Sequence, residues 1–288
     1  MSGYRQILVI GYGVVTGKVL AFVNELSEKY SYTVCYIEHE KHPFNGAKKY
    51  AENTGIKYYL IEDKKELTSF FEKIARNEKT LIISASNNYL FPKSLIEKGN
   101  ITIMNFHSAL LPDLPGRNAA SWAIYKRYKK TGITWHFVTA GIDDGDIIIQ
   151  KEFDINNDIK AYELVSIQME LAATAFKECF EQILNHSVKA TKQRIERGSE
   201  RKIYKSKEIP GDGRFDITDD SRNIYRLLRA MDYGKNDIFP LPKTIYDGKE
   251  VYVKRYKIVN SYDKKEDNSR VYLPYDDDRW LMLKFVKN

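Results

Sequence analysis

Residues 101–150 read ITIMNFHSALLPDLPGRNAASWAIYKRYKKTGITWHFVTAGIDDGDIIIQ. Apolar runs of strand or helix length alternate through this stretch, and polar side chains sit where the runs end. Asn105 and His107 close the first run, Leu110-Leu111-Pro112 makes a turn, and Asp143-Asp144 occupies a glycine-flanked turn between two further strands. Open α/β sheets bind ligands beyond the carboxyl ends of their strands, so chemistry is expected at these positions.

Toward the N-terminus, Gln6–Ile10 is a short apolar run followed by a glycine turn, Gly11 to Gly17. A helix then carries Val19, Leu20, Phe22, Val23 and Leu26 on one face. Strand, glycine turn and helix also begin a dinucleotide-binding unit, and the next strand, Tyr32–Ile37, ends beside Glu38, a residue able to bond a ribose. The spacing is GxGxxxG, one residue too long for the dinucleotide fingerprint. The turn is therefore expected to open the first helix of a doubly wound sheet, with NAD(P) binding as the lesser alternative. Helices are expected over 44–53 and 64–76, strands over 57–61 and 81–85, and Pro92 opens a further helix at its first turn. Ile101–Phe106 is the next strand. Alternation of this kind predicts an α/β fold: a doubly wound, mostly parallel sheet with helices on both faces.

Toward the C-terminus, Ala161–Asn185 reads as a long helix with Leu164, Ile167, Leu171, Ala175, Phe176, Cys179 and Ile183 in a core-facing stripe. Gly211–Asp216 forms a turn, and Ser221 is placed to cap a helix over 222–231. Segments 244–258 and 270–287 alternate in Tyr and Val and read as antiparallel strands, with a hairpin turn at Asp247-Gly248. The expected division is a larger domain, 1–200, and a smaller C-terminal α+β domain, 201–288, rich in antiparallel strands. Asp276, Asp277 and Asp278 are expected to form a charged surface turn rather than a cation site.

A chain that is 43% hydrophobic and 13% aromatic can bury a full core and is not disordered. No run approaches the roughly 18 apolar residues of a membrane span. The segment MSGYRQILVI goes straight into a strand, so no secretory leader is read there. Cys35 and Cys179 lie in apolar periodic segments and are expected as buried free thiols. These features predict a cytoplasmic protein with no membrane partner. The net charge of +7 is uneven: Lys189–Glu208 holds eight Lys or Arg against three Glu. Such a stretch suits phosphate or RNA binding, and equally a solvated helix end and linker; its role stays open.

A histidine at a strand end can act as a general base near neutral pH. An asparagine amide can donate to a developing oxyanion, and a carboxylate can orient the histidine or move a proton. No Ser or Cys on a nucleophile elbow and no metal-ligand spacing accompanies Asn105, His107 and Asp143. The set therefore suits direct acyl transfer to an amine, without a metal and without a covalent enzyme intermediate.

Asn105-Phe106-His107, Leu110-Leu111-Pro112, Gly116-Arg117, Thr131-Gly132-Ile133-Thr134, His136 and Asp143-Asp144-Gly145 together resemble the formyltetrahydrofolate-dependent formyltransferase family. The family pattern is Asn-x-His, a Ser-Leu-Leu-Pro turn, and an Asp thirty-six residues after the His, which falls on Asp143 with Asp144 as fallback. One departure is Ala109 in place of the serine of that turn, with Ser108 beside it. The resemblance covers about residues 5–185, and Gly211–Asp216 and Ile224–Ala230 resemble the start of the C-terminal part of larger members.

The resemblance implies a Rossmann-like formyltransferase domain with N10-formyltetrahydrofolate as co-substrate. It implies Asn105, His107 and Asp143 as catalytic residues. Ser86, Asn88, Tyr89, Phe91, Leu110, Leu111 and Asp144 are then candidates for holding the folate. Pro115 to Ala119 and Ser121 to Ile124 look most like the nucleotide-sugar N-formyltransferases. That implies a dTDP-, UDP- or GDP-linked 3- or 4-amino-deoxysugar as acceptor, with Arg117, Asn118, Lys93 and Trp122 as candidate contacts. Formylated sugars of this kind are precursors of bacterial surface polysaccharide such as the lipopolysaccharide O-antigen. A methionyl-tRNA formyltransferase is the main alternative. The short 38–46 loop, with Lys41 its one Lys or Arg, argues against it and against a nucleic-acid partner. A homodimer through the C-terminal strands is expected by default.

Overall fold

The computed structural model describes residues 3–43, 45–76, 78–194, 201–260 and 269–286. Seven strands form the first sheet: β1 (Gln6–Gly11), β2 (Thr33–Glu38), β3 (Lys57–Leu60), β4 (Thr80–Ala85), β5 (Ile101–His107), β6 (Lys130–Phe137) and β7 (Ile147–Asp154). Their order is β3-β2-β1-β4-β5-β6-β7; β1 to β5 run parallel, and β6 is antiparallel to β5. The parallel crossovers carry α1 (Gly13–Glu25), the one-turn α2 (Ser27–Tyr30), α3 (Gly46–Thr54), α4 (Lys64–Ile74) and the one-turn α5 (Lys93–Ile96). Alternate residues of β1 show why both faces are covered. Ile7 and Val9 belong to one apolar cluster with α1 and α3, while Leu8 and Ile10 belong to another with Leu67 and Phe71 of α4.

Sheet order reverses on either side of β1, which opens a crevice at the carboxyl ends of β1 and β4. Gly11 is needed there: a Cβ on it would lie 1.7 Å from the Ala85 carbonyl oxygen. The glycine turn thus serves close strand packing. Glu38 is likewise committed within the sheet, accepting from the Tyr58 hydroxyl at 2.7 Å and the His42 N–H at 3.0 Å. Neither residue is arranged as a dinucleotide fingerprint needs. Helix starts follow capping chemistry. Asn45 caps α3 and Asp63 caps α4 through their side-chain oxygens. Phe44, where the sequence reading begins that helix, lies outside the described residues. Pro92 is the N-cap of α5 rather than its first helical residue.

The remaining helices are α6 (Ala119–Tyr125), α7 (Ala161–Leu184) and α8 (Ser221–Met231). A second sheet contains β8 (Lys243–Tyr246), β9 (Lys249–Val259), β10 (Arg270–Pro274) and β11 (Trp280–Val286), all antiparallel, in the order β10-β11-β9-β8. Asp247 and Gly248 both take positive φ, 50° and 70°, as a two-residue hairpin between twisted strands requires. Ile224, Tyr225 and Leu228 of α8 pack on Val251, Val253, Leu281, Leu283 and Phe285. The cap of α8 is Asp220, whose carboxylate accepts from the Arg222 N–H at 2.9 Å. Ser221, expected in that role, instead donates to the Pro274 carbonyl. Cys35 and Cys179 are buried free thiols. Among the described residues no helix is long and apolar enough to cross a membrane.

The chain divides into two compact units. One comprises Met1–Gly116, Gly132–Phe153 and Ser166–Ile203; the other comprises Arg117–Thr131, Asp154–Val165 and Tyr204–Asn288. The second unit thus takes in α6, whose residues Ala119 to Ile124 are buried. A cut near residue 200, the boundary drawn from sequence, strips α6 of α8. Exposing its Trp and Ile costs roughly 1.5–3 kcal/mol each. A 1–203 fragment is accordingly expected to self-associate and bind a hydrophobic dye. A monomeric, dye-silent fragment on size exclusion would show that 1–203 folds alone.

Candidate active site

Strand register brings the polar residues of the quoted stretch together. Asn105 stands beside Ser84 of β4 on one side and His136 of β6 on the other, while His107 stands beside Thr134. The Ser84 hydroxyl donates to Asn105 Oδ1 at 2.7 Å, which turns the amide nitrogen toward His136 Nε2, 3.3 Å away. His136 Nδ1 lies 2.8 Å from the Phe137 carbonyl. A carbonyl only accepts, so Nδ1 carries a proton, while Nε2 lies between the Asn105 amide and the Asp143 carboxylate. The same reasoning applies to buried His107. Its Nε2 donates to the Leu114 carbonyl at 2.9 Å, leaving Nδ1 bare and 3.4 Å from Asp143 Oδ2. Asp143 Oδ2 also accepts the Gly116 N–H at 2.7 Å, and Oδ1 lies 3.5 Å from His136 Nε2.

Burial pushes the His107 imidazole below its ordinary pKa; the Asp143 carboxylate restores only part of this, and the neighbouring His136 opposes it. Burial pushes the Asp143 carboxyl up, but His107, His136 and the Gly116 N–H together hold it well below the usual carboxylate range. At neutral pH the cluster is a neutral imidazole, a primary amide and a carboxylate. His107 can take a proton at Nδ1, and Asp143 then stabilises the imidazolium that forms.

Backbone geometry aims these groups. Asp143 has φ 51°, a left-handed conformation that costs a non-glycine residue about 1–2 kcal/mol. Gly145 permits the close return of this turn to β6, since a Cβ there would lie 1.8 Å from the Phe137 carbonyl oxygen. The Ala109-Leu110-Leu111-Pro112 turn is pinned by Thr134, whose hydroxyl donates to the Ala109 carbonyl at 2.7 Å and accepts the Leu111 N–H at 3.1 Å. Gln150 adds a bond to the Leu111 carbonyl at 2.9 Å, and Gln168 of α7 donates to the Ser108 carbonyl at 2.7 Å. The serine that Ala109 replaces is thus not required to hold the turn in this chain.

The other candidates separate. Asp144 is exposed and turned to the Thr139 hydroxyl, so Asp143 is the carboxylate beside the histidines. Ser86 has φ 53° at the end of β4. Asn88 donates to Glu40 at 2.6 Å. Tyr89 is 4% exposed, donates to or accepts from Thr68 at 2.6 Å, and packs with Phe71 and Phe91. What the structure shows of Tyr89 is core packing. Leu90, between Tyr89 and Phe91, is 73% exposed and was not singled out from sequence. Leu111 is buried and Leu110 half-buried. Lys93 pairs with Glu97 at 3.4 Å. Arg117 is exposed, with its N–H on the Tyr204 carbonyl at 2.9 Å, and Asn118 takes φ 57° before α6. Trp122 stacks on Tyr204 with centroids 4.3 Å apart, so its ring is packed. Among the described residues no group of three or more His, Cys, Asp or Glu is placed to hold a metal ion.

Four further residues support the site. Thr134 and His136 lie inside the motif region, whereas Gln193 and Arg201 come from the basic stretch and bond the Asp143 turn. Part of that stretch, 195–200, lies outside the described residues.

This arrangement has relatives. A methionyl-tRNA formyltransferase of Clostridium novyi (strain NT) is 26% identical over 215 residues, 75% of this chain and 66% of its own length. The matches span just under two thirds of the length of such curated relatives. Among solved structures, WlaRD, a sugar 3N-formyl transferase in the presence of dTDP and 5-N-formyl-THF, is 18% identical, with TM-score 0.72 over 99% of both chains. An N-formyltransferase from Helicobacter canadensis, in complex with folinic acid and dTDP-3-aminofucose, is 16% identical, with TM-score 0.73 over 98% of this chain and 100% of its own. These likenesses match the fold of both sheets. A family model described as Formyl transferase matches residues 6–177, well over half the sequence, and the chain belongs to that family.

Proposed function

We propose that this chain transfers the formyl group of N10-formyltetrahydrofolate to the amine of a nucleoside-diphosphate-linked 3- or 4-amino-deoxysugar. The observation that carries the reading is the cluster of buried His107 with half-buried Asn105 and Asp143 at the strand ends of a formyl transferase family fold. The sugar assignment is supported by likeness along nearly the whole chain, second unit included, to a sugar 3N-formyl transferase and to an N-formyltransferase in complex with dTDP-3-aminofucose. dTDP is the favoured nucleotide over UDP and GDP for that reason. The fit to a folate donor rests on the 86–91 segment, where Leu90 offers an exposed apolar surface.

The donor supplies the formyl carbon. His107 keeps the acceptor amine unprotonated and takes its proton at Nδ1 as the new C–N bond forms. The Asn105 amide donates to the developing oxyanion, an effect worth about 3–4 kcal/mol for one well-placed donor. Asp143 holds the imidazolium, and the proton then leaves with N10 as the old C–N bond breaks. Holding both substrates together supplies much of the remaining acceleration. The proposal includes a cytoplasmic homodimer working on precursors of surface polysaccharide.

A panel of dTDP-, UDP- and GDP-linked 3- and 4-amino sugars, with Met-tRNA and glycinamide ribonucleotide, tests this by following folate release. Turnover with a dTDP-amino sugar is expected. A second reading, methionyl-tRNA formylation, is favoured by the 26% identity to the Clostridium novyi relative. It predicts tRNA binding that weakens steeply with salt. Turnover with Met-tRNA alone would replace the sugar reading.

A further inference from the structure

The role of the basic stretch 189–208 is the feature the sequence leaves open, and part of it touches the site. Thr191 pairs with Ile147 through two 2.8 Å backbone bonds at the start of β7. Gln193 Nε2 donates to the carbonyls of Asp143 and Gly145, each at 2.8 Å. The Arg201 guanidinium forks over the same turn, with Nη1 on the Ile142 carbonyl at 2.9 Å and Nη2 on the Asp143 carbonyl. Two side chains remote in sequence thus place four hydrogen bonds on three carbonyls of one short turn. That turn holds its aspartate in a left-handed conformation an L-residue rarely adopts alone. The Asp143 carbonyl accepts from both, so its peptide is held from two directions while its carboxylate faces His107.

We propose that Gln193 and Arg201 are positioning residues for the transfer, holding the Asp143 carboxylate at His107 by its main chain and placing a fixed positive charge beside the pair. This rests on the formyl-transfer reading given above. Neither side chain touches substrate in this assignment; both act through Asp143. The stretch then serves two needs with one cation. It satisfies carbonyls that the tight turn leaves without strand partners, and its charge disfavours protonated His107, which keeps the imidazole able to accept a proton. The charged or titratable groups facing His107 are Asp143 from the turn, His136 from β6 and Arg201 from the basic stretch; the Leu114 carbonyl completes its surroundings. Of these, Arg201 and His136 disfavour the imidazolium and Asp143 favours it.

The experiment compares Arg201→Ala, Arg201→Lys and Gln193→Ala by steady-state kinetics and by NMR titration of isotope-labelled histidine. The chain has five histidines, and the His107 signal is identified by its loss in His107→Gln. Arg201→Ala is expected to lower kcat about 100-fold with KM for both substrates little changed, as displacement of a catalytic group by about 1 Å does. It should also raise the His107 pKa, since a nearby cation is gone. Arg201→Lys keeps the charge but loses the fork. It should leave the His107 pKa near wild type and recover about tenfold in kcat over the alanine variant. Gln193→Ala should lower kcat without moving the His107 pKa. Turnover within about threefold of wild type in both alanine variants, or a His107 titration unmoved by Arg201→Ala, would overturn the proposal. The NMR arm reads without any acceptor, so a wild-type protein inactive on every amino sugar would sink the acceptor assignment and leave this one still decided.

Discussion

His107→Ala and Asn105→Ala each lower turnover by at least about 100-fold while the protein remains folded. The two losses differ in kind. His107 is the group that takes the amine proton, and it also satisfies the buried Leu114 carbonyl at 2.9 Å. Alanine therefore removes the base and leaves a carbonyl unpaired, at a stability cost of about 1–3 kcal/mol. His107→Gln separates the two effects, because its amide can still donate to Leu114 but cannot serve as a base near neutral pH. Asn105 contributes a donor, with its orientation set by Ser84. Asn105→Asp keeps the acceptor for the Ser84 hydroxyl, loses the amide protons and adds a charge where negative charge develops in the reaction. It should be at least as damaging as alanine. Steady-state turnover together with thermal melts checks all four variants; near-normal turnover in both alanine variants would remove this site from consideration.

Asp143→Asn carries the second large effect, again about 100-fold or more in turnover, with a pH signature. The amide oxygen can still accept the Gly116 N–H, so the turn is expected to survive. What goes is the negative charge that favours protonated His107. The His107 pKa, already depressed by burial, falls further, and the acid limb of the rate profile moves to lower pH as its height drops. Stability moves by the same linkage. Asp143 has a folded pKa below its unfolded value near 3.9, so it stabilises the fold above that value and loses this as pH falls through the folded pKa. Depressed His107 acts in the same direction, because below about 6.5 the unfolded chain takes up the proton more readily. Asp143→Asn should remove the first contribution and so make acid unfolding less steep below about pH 3.9. An acid limb that moves upward instead would contradict this account of the pair.

Much of the fold was legible because its signals are local. The runs QILVI and LIISA announce buried strands by composition, and the stripe from Leu164 to Ile183 announces α7 by period. Misplacements occurred where local signals compete. Both Asp220 and Ser221 are good caps, and the choice fell to Asp220 because the Ser221 hydroxyl is drawn to the Pro274 carbonyl, fifty-three residues away. Trp122, a candidate sugar contact that the sequence also reads as helix core, stacks on Tyr204, and Tyr89, a candidate for the folate, packs in the Phe71–Phe91 cluster.

By itself the sequence determined the order of strands and helices and the antiparallel C-terminal sheet with its Asp247-Gly248 turn, which rest on periodicity and on turn chemistry. The set Asn105, His107 and Asp143, with Asp144 as its rival, is what the family resemblance of one segment implies. The tertiary structure alone decided that Asp143 faces the histidines, and that the Leu114 carbonyl fixes the His107 proton at Nε2. It also decided that Gln193 and Arg201 reach the Asp143 turn. A side chain's direction and protonation depend on partners brought close by folding, and those partners stand as many as fifty-eight residues away along the chain.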